Sequence, residues 1–424
     1  MIRFLLKGLL RDRARSLFPV LTVAAGAALT VFLHAFVGGA VNGLIQSTAH
    51  YRTGHVRIVT RAYAKIADQA PNDLALLGVD TLLTDVRQKY PALLWTPRIE
   101  FGGLLDIPDT LGQTKEQAPV HGMGVDLSGS GSPEWSLLNL RGALVRGALP
   151  RKPGDVLIAD ELAAKMHIAP GQRATLIGST MNGSMAFANF TVTGTLRVGL
   201  GPMDRNIIIA DLMDIRQALD MRNGAGEILG FFRDDLFHEQ QADSVAVGFN
   251  ARLRTNPDNY APLMGTLPEE SGLSDYLVYV RKVFRSLIAF FVIVMSIVLW
   301  NTGLTGSIRR YGEYGLRLAV GEEKGHVYRW MLIESLLVGV AGSIVGTGLG
   351  LAVGYFLQVH GFDMGALLKN NTMMLSDVIR AQVEPATYLI GFLPGVLATL
   401  FGSALSGIGI YRRQTSQLFK ELET

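Results

Sequence analysis

Hydrophobic positions are spread unevenly along the chain: one long apolar run near the N-terminus, none between residues 46 and 282, and three more in the last third. A helix needs about 20 mostly apolar residues to cross the hydrocarbon layer of a bilayer. The run 17–45 has Thr22, Thr30, His34 and Asn42 as its only strongly polar side chains. The run 283–304 contains the unbroken stretch SLIAFFVIVMSIVLW, with Arg285 at its edge, where a long side chain can reach water. The run 331–357 has Glu334 as its sole charge, and 385–410 has none. These runs predict transmembrane helices at 17–47, 283–306, 328–358 and 385–410. A basic leader, 1–16, precedes the first, but that run is longer than the ~7–15 residue apolar core of a signal peptide, so it reads as a retained anchor.

The intervening segment 48–280 has a different period. Alternating or short continuous apolar runs predict strands at 55–60, 155–159, 173–178, 189–196, 205–210 and 244–250. Helices are predicted at 80–90, 160–166 and 211–221, each opened by an Asp suited to N-capping. The stretch SGSGSP at 128–133 reads as a turn. The expected fold class is a polytopic α-helical membrane protein with four spans and a large α+β extracytoplasmic domain, in two lobes, between spans one and two.

Charge sets the orientation, because Lys and Arg in short flanking segments stay cytoplasmic. They gather in the leader, in 307–327 (Arg309, Arg310, Arg317, Lys324), and in the tail 411–424 (Arg412, Arg413, Lys420). Both termini are therefore expected inside, with 48–280 and the loop 359–384 outside. A hydrophobic content of 49% is too high for an ordinary soluble enzyme, and a net charge of +3 is too modest for a nucleic-acid surface.

Catalytic chemistry finds little footing. Cysteine is absent, which removes thiol nucleophiles and disulfides. The eight histidines never take an H-E-x-x-H spacing, and no G-x-S-x-G elbow occurs, so neither a metal site nor a catalytic residue is expected. Asp234–Asp235 and Glu269–Glu270 are adjacent pairs, whose side chains diverge in extended structure, and they read as solvated charge.

The most specific local pattern is 309–321, RRYGEYGLRLAVG. On a helix, Tyr311, Tyr314 and Leu318 form an apolar stripe beside a charged row of Arg310, Glu313 and Arg317, and Gly321 fits a helix stop. Amphipathicity alone fits an interfacial helix and a helix docked on a cytoplasmic partner equally well. In span three, Gly342, Gly346, Gly350 and Gly354 recur at steps of four, a spacing that lets helix backbones approach closely within the chain or against a second permease. His34 and Glu334 are the ionisable groups well inside spans; Glu334 is expected to pair near the cytoplasmic edge and His34 to lie neutral in the bundle.

Segment 309–321 resembles the signature of the FtsX-like permease superfamily: an R-x-x-E-[aromatic or aliphatic]-G run, then A-x-G, ahead of a span with a Glu near its start. Arg310, Glu313, Gly315, Ala319, Gly321 and Glu334 occupy those places. The leading RSLFPVLTVAAGAAL resembles the superfamily's first span, and PGDVLIADELAAKMHIAPGQRATLIG with NFTVTGTL resembles the extracytoplasmic domain of the MacB and LolC/LolE group. Two places depart: Leu318 stands where the family has a basic residue, and YRRQTSQLFKEL replaces its Pro-containing tail.

The resemblance implies a type VII ABC transporter permease of the inner membrane, with 283–424 as the permease domain. Its layout is similar to LolC/LolE. The family's Porter-like lobe would comprise 48–100 plus 236–280, around a Sabre-like lobe. Arg309, Arg310, Glu313, Gly315, Arg317, Leu318, Gly321 and Glu334 would couple to an ATP-binding subunit. No G-x-x-x-x-G-K-[ST] occurs, so ATP and Mg are expected on that partner and no cofactor on this chain. A second permease copy or paralogue is implied, with a lipoprotein or other amphiphile as cargo. MacB-like efflux with a periplasmic adaptor, or FtsX-like control of a periplasmic enzyme, are the alternatives.

Overall fold

The structure, a computed structural model, describes residues 13–108, 113–128, 131–197, 205–253, 258–269, 273–308, 311–363 and 378–412. Most of the basic leader, Arg309, Arg310, the centre of the 128–133 turn, most of the loop 359–384 and the tail beyond Arg412 lie outside the described residues. Two compact units result: Gly43–Val278 forms one, and the N-terminal helix up to Asn42 joins Tyr279–Met364 and Val378–Thr424 in the other.

The second of these is helical. Among the described residues, four helices are long and apolar enough to cross a membrane: Leu17–Thr53, Val278–Gly306, Lys324–His360 and Thr387–Ile408. The first runs unbroken from Arg13 to Thr48 despite Pro19, which lies in its second turn. The fourth is irregular. Helix Thr387–Ile390 gives way to a π turn at Leu393–Ala398 before Thr399–Arg412 continues. Pro394 has no N–H to donate, and a π turn is a standard way to absorb such a break.

The large unit is built on one mixed sheet. Its strands are β1 (Val56–Thr60), β2 (Leu76–Leu77), β3 (Leu93–Pro108), β4 (Thr114–Val125), β5 (Leu144–Gly147) and β6 (Asp155–Ala159). They continue with β7 (Arg173–Ser179), β8 (Met185–Leu196), β9 (Ile207–Asp211), β10 (Gly224–Ala225), β11 (Glu227–Phe232) and β12 (Pro262–Thr266). The main order is β12-β1-β11-β3-β4-β9-β6-β8-β5, with β7 bridging β3 and β8, while β2 and β10 pair separately. Most pairs are antiparallel; β4 with β9 and β6 with β8 run parallel. Strand β3 joins the two halves of the sheet, pairing with β11 at 93–98 and with β4 from Arg98 onward. Ile58, Ile99, Phe101, Leu105, Leu157 and Ile208 are fully or almost fully buried in its core.

The strands predicted at 55–60, 155–159, 173–178, 189–196 and 205–210 are present within a few residues of their expected bounds. The one predicted at 244–250 is instead part of helix Glu239–Leu253. Ala242, Ala246 and Phe249 are buried at helical spacing, and that stripe overrides the alternation of SVAV. Asn250 then completes edge strand β12, its Nδ2 donating to Met264 O at 2.8 Å and its Oδ1 accepting from Met264 N at 2.9 Å. Of the three Asp N-caps, only Asp211 acts as one, accepting from Met213 N at 2.9 Å. Gly78 and Ala159 hold the cap positions of the other two helices. Asp80 N is met by Asn223 Oδ1 at 3.0 Å, and Asp160 accepts from Thr195 Oγ1 at 2.8 Å and Arg146 Nε at 2.8 Å.

Two ion pairs are buried under the β1-β11-β3 part of the sheet. Arg98 and Glu134 are both fully buried; Nε and Nη2 of Arg98 each donate to the carboxylate at 2.8 Å, and Thr96 Oγ1 adds a bond of 2.7 Å. The remaining nitrogen, Nη1, donates to the carbonyl of His50 at 2.6 Å. Burial opposes the charge on Arg98, but the Glu134 carboxylate more than offsets it and keeps the guanidinium protonated. Arg57 and Glu227 form the second pair at 3.3 Å.

Candidate functional site

The predicted coupling segment forms helix Tyr311–Ala319. Tyr314 is buried against Val327 and Met331 at the base of the third apolar helix, with Leu318, Tyr328 and Leu332 packed around them. Tyr328 OH in turn donates to Ala404 O at 3.3 Å, which ties that base to the fourth helix. Gly312 and Gly315 are buried on the same side, and Glu334 is half-buried further along the third helix.

The helix stops as the sequence predicts. Gly321 has φ +101°, Gly321 N donates to Leu318 O at 3.1 Å, and Glu322 N donates to Arg317 O at 3.1 Å. That pair of bonds is a Schellman motif, which needs a left-handed residue at its centre. Glu323 then opens the third helix.

The opposite face is open. Glu313, Leu316, Arg317 and Val320 are all exposed, Leu316 by 54% and Val320 by 84%. The stripe at 311, 314 and 318 marks the buried side, so that pattern does not single out Leu316 and Val320. Their i, i+4 spacing is the signal that points to them.

The glycine series of the third helix faces the first. A Cβ on Gly342 would lie 2.6 Å from Val23 Cβ, one on Gly350 2.7 Å from Ala28 O, and one on Gly346 would press into Ala24 O. Gly354 is looser, with Ala35 and Val383 beyond 3.3 Å. In this chain the series brings two of its own helices together. His34 is hydrogen-bonded, its Nδ1 lying 3.0 Å from Thr387 Oγ1 at the start of the fourth helix. Asn42 bonds Gln382, and Gln382 N donates to Ala35 O at 2.9 Å, so the polar positions of the first helix hold the segment that leads into the fourth.

Among the described residues no set of His, Asp and Glu side chains could hold a metal ion. Asp234 and Asp235 are not simply solvated: Asp234 bonds His238 Nε2 at 2.6 Å, and Asp235 bonds His50 Nε2 at 2.7 Å. The bond from His238 is the main cause that holds the Asp234 carboxyl below its usual range. His50 and Asp235 are 185 residues apart, a pairing no local pattern reveals.

Comparison with known proteins matches residues 285–415 to the family described as FtsX-like permease C-terminal. Relatives include the macrolide export ATP-binding/permease protein MacB of Neisseria gonorrhoeae, 22% identical over 366 residues, which cover 83% of this chain and 52% of that protein. The MacB of Psychrobacter cryohalolentis is 29% identical over 103 residues, 24% of this chain and 15% of that protein. The MacB of Vibrio parahaemolyticus is 30% identical over a stretch of the same length. The chain thus spans about half the length of the Neisseria relative and less of the others. A crystal structure of the periplasmic region of MacB from Actinobacillus actinomycetemcomitans aligns with 51% of this chain and 90% of its own, at 14% identity and a TM-score of 0.33. The family match lies on the helices that carry the 311–321 segment, so residues 285–415 form an FtsX-like permease domain, and the chain as a whole is similar to MacB over most of its length.

Proposed function

We propose that the chain is the membrane-embedded permease of an ATP-driven transporter. In this reading the four apolar helices cross the inner membrane, both termini and helix Tyr311–Ala319 face the cytoplasm, and 48–280 works outside. ATP is hydrolysed on a separate ATP-binding subunit, and two permease chains, identical or paralogous, act together.

The observation that carries this reading is the two-sided character of helix Tyr311–Ala319. One side is locked by Tyr314 to the third helix, and the other offers Leu316, with Val320 just past the helix end, beside the charges of Glu313 and Arg317. An exposed apolar pair with opposite charges beside it suits a protein cleft. Closure of ATP-binding subunits around such a helix would move the base of the third helix, and through it the domain outside. The cargo is an amphiphile, and the MacB relatives, named for macrolide export, favour an export role, in which a periplasmic adaptor would take part. Lipoprotein release of the LolC/LolE kind is the narrower reading of the same mechanism.

Purification from native membranes in mild detergent tests the central claim. An ATP-binding subunit is expected to accompany the native chain, and Leu316→Asp is expected to lose it while the chain keeps its thermal stability. Equal recovery of the subunit with Leu316→Asp would remove this helix from the interface. Cargo or adaptor proteins in the same eluate distinguish the two amphiphile readings.

A further inference from the structure

Three histidines and two aspartates meet where the chain enters the large unit. The π turn Ala49–Thr53 ends at Gly54, whose φ is +64°. A Cβ there would lie 2.9 Å from Val56 O, so the bend requires glycine. His50, on the turn, is held twice: its ring by Asp235 and its carbonyl by Arg98.

Beyond the bend, His55 is fully buried, and its Nδ1 accepts a hydrogen bond from Phe232 N at 3.0 Å. An N–H donor fixes the tautomer: Nδ1 carries the lone pair and Nε2 the proton. The rings of Phe231, Phe232 and Phe237 stand 5.7, 5.5 and 5.9 Å from the imidazole. The charged and titratable groups around it are His50 on its own segment and Asp234, Asp235 and His238 on the segment after β11. Arg98 lies across the Phe231 ring, 5.7 Å from its centroid.

We propose that His55 is the release element of an acid-sensitive clamp: neutral, it holds the turn at 49–55 to the end of β11, and protonated, it lets go. A proton can be added only at Nδ1, and doing so removes the acceptor of the Phe232 N–H. It also places a cation in a fully buried site cut off from water. Burial is the dominant effect and pushes the imidazole down from 6.5 to about 4, against the attraction of Asp235 and Asp234. Protonation of His50 and His238 acts the other way on the clamp. It turns their bonds to Asp235 and Asp234 into ion pairs and adds charge that opposes a proton on His55.

Hydrogen–deuterium exchange of the full chain in detergent micelles, from pH 7 to 4 and corrected for intrinsic exchange, tests this. Amides at 50–56 and 228–233 are expected to lose protection together by more than about tenfold between pH 6 and 4, while β6 and β9 keep theirs. His55→Gln can still accept from Phe232 N but cannot take a proton, and its protection is expected to stay level. Unchanged protection in the native chain, or the native fall persisting in His55→Gln, overturns the clamp. Should His55→Gln not fold, ring-labelled histidine NMR of the native chain decides. An imidazole in the neutral Nε2–H form at pH 7 is expected to titrate together with the loss of protection at 50–56 and 228–233. Loss of protection with no Nε2–H imidazole titrating alongside it overturns the clamp.

Discussion

The two units close their interiors by opposite means. In the large unit, charge is buried as pairs, with Arg98–Glu134 and Arg57–Glu227 under the sheet. In the helical unit, Gly342, Gly346 and Gly350 admit the backbone of the first helix, and hydroxyls bridge helices, as Ser335 to Ser403 at 2.5 Å. The contrast is what the surroundings proposed for the two units would select. A water-facing domain gains by covering apolar area and can hold a few charges if each is matched. Helices in lipid gain little by covering apolar side chains and associate through close approach. The large unit should therefore be sensitive to lost charge partners, and the helical unit to added volume.

The largest expected effect tests the first half. Arg98→Met leaves the Glu134 carboxylate buried without its cation, which should cost about 3–5 kcal/mol. Unfolding of the full chain by urea in detergent, followed through buried Trp95 on β3, measures it. The double substitution Arg98→Met, Glu134→Leu should recover most of the loss. A double variant no better than the single would mean that the pair itself, and not the avoidance of a lone charge, stabilises the unit.

Next comes pH. His55 has a native pKa of about 4 against 6.5 when exposed, so the unfolded chain binds more protons between those values. Stability is then complete above about 6.5 and falls as pH drops toward 4, by about 3 kcal/mol in total. Unfolding midpoints taken across that range in native chain and His55→Gln should diverge only below pH 6.5.

Added volume in the helical unit ranks third. Gly346→Val presses a side chain into the Ala24 carbonyl and should cost about 1–3 kcal/mol or abolish monodisperse protein. Gly348, two residues on, has nothing within 4 Å of its would-be Cβ, and Gly348→Ala should be neutral or gain up to about 1 kcal/mol. The Trp95 transition of the large unit should be the same in both. Equal thermal stability of the two glycine variants would break the contrast between the units.

Legibility in the sequence divides along the same line. The helical unit was readable because its signals are local: length, apolarity, glycine period, and a stop at Gly321. In the large unit, strands with continuous or alternating apolar runs, such as β6 and β9, were visible. The long β3–β4 hairpin was not, because Pro97, Gly102, Gly103, Pro119, Gly122 and Gly124 interrupt its alternation. Within helix Glu239–Leu253, the seven residues SVAVGFN read as a strand, because such a window cannot separate the two without the buried Ala242 that precedes it. The His50–Asp235 and Arg98–Glu134 contacts join residues distant in sequence, and only the sheet topology brings them together. On the 311–321 helix the stop was legible, whereas the exposed apolar pair was masked by the stronger stripe on the other side.

The smallest effect concerns one glycine of positive φ from each unit. At Gly54 a Cβ would meet Val56 O and Leu229 Cβ, so Gly54→Ala combines backbone strain with a clash inside the clamp. At Gly321, φ is +101° but nothing lies within 4 Å, so Gly321→Ala suffers the backbone cost alone, roughly 1–2 kcal/mol. That cost falls on the Schellman turn and not on the packing of Tyr314. Exchange of the amides at 320–322 should accelerate about five- to thirtyfold while those of the third helix stay slow. Acceleration that spreads to Val327 and Met331 would mean that the stop and the Tyr314 anchor are one cooperative element. A push on the exposed face at Leu316 would then reach the third helix through the turn as well as through the tyrosine.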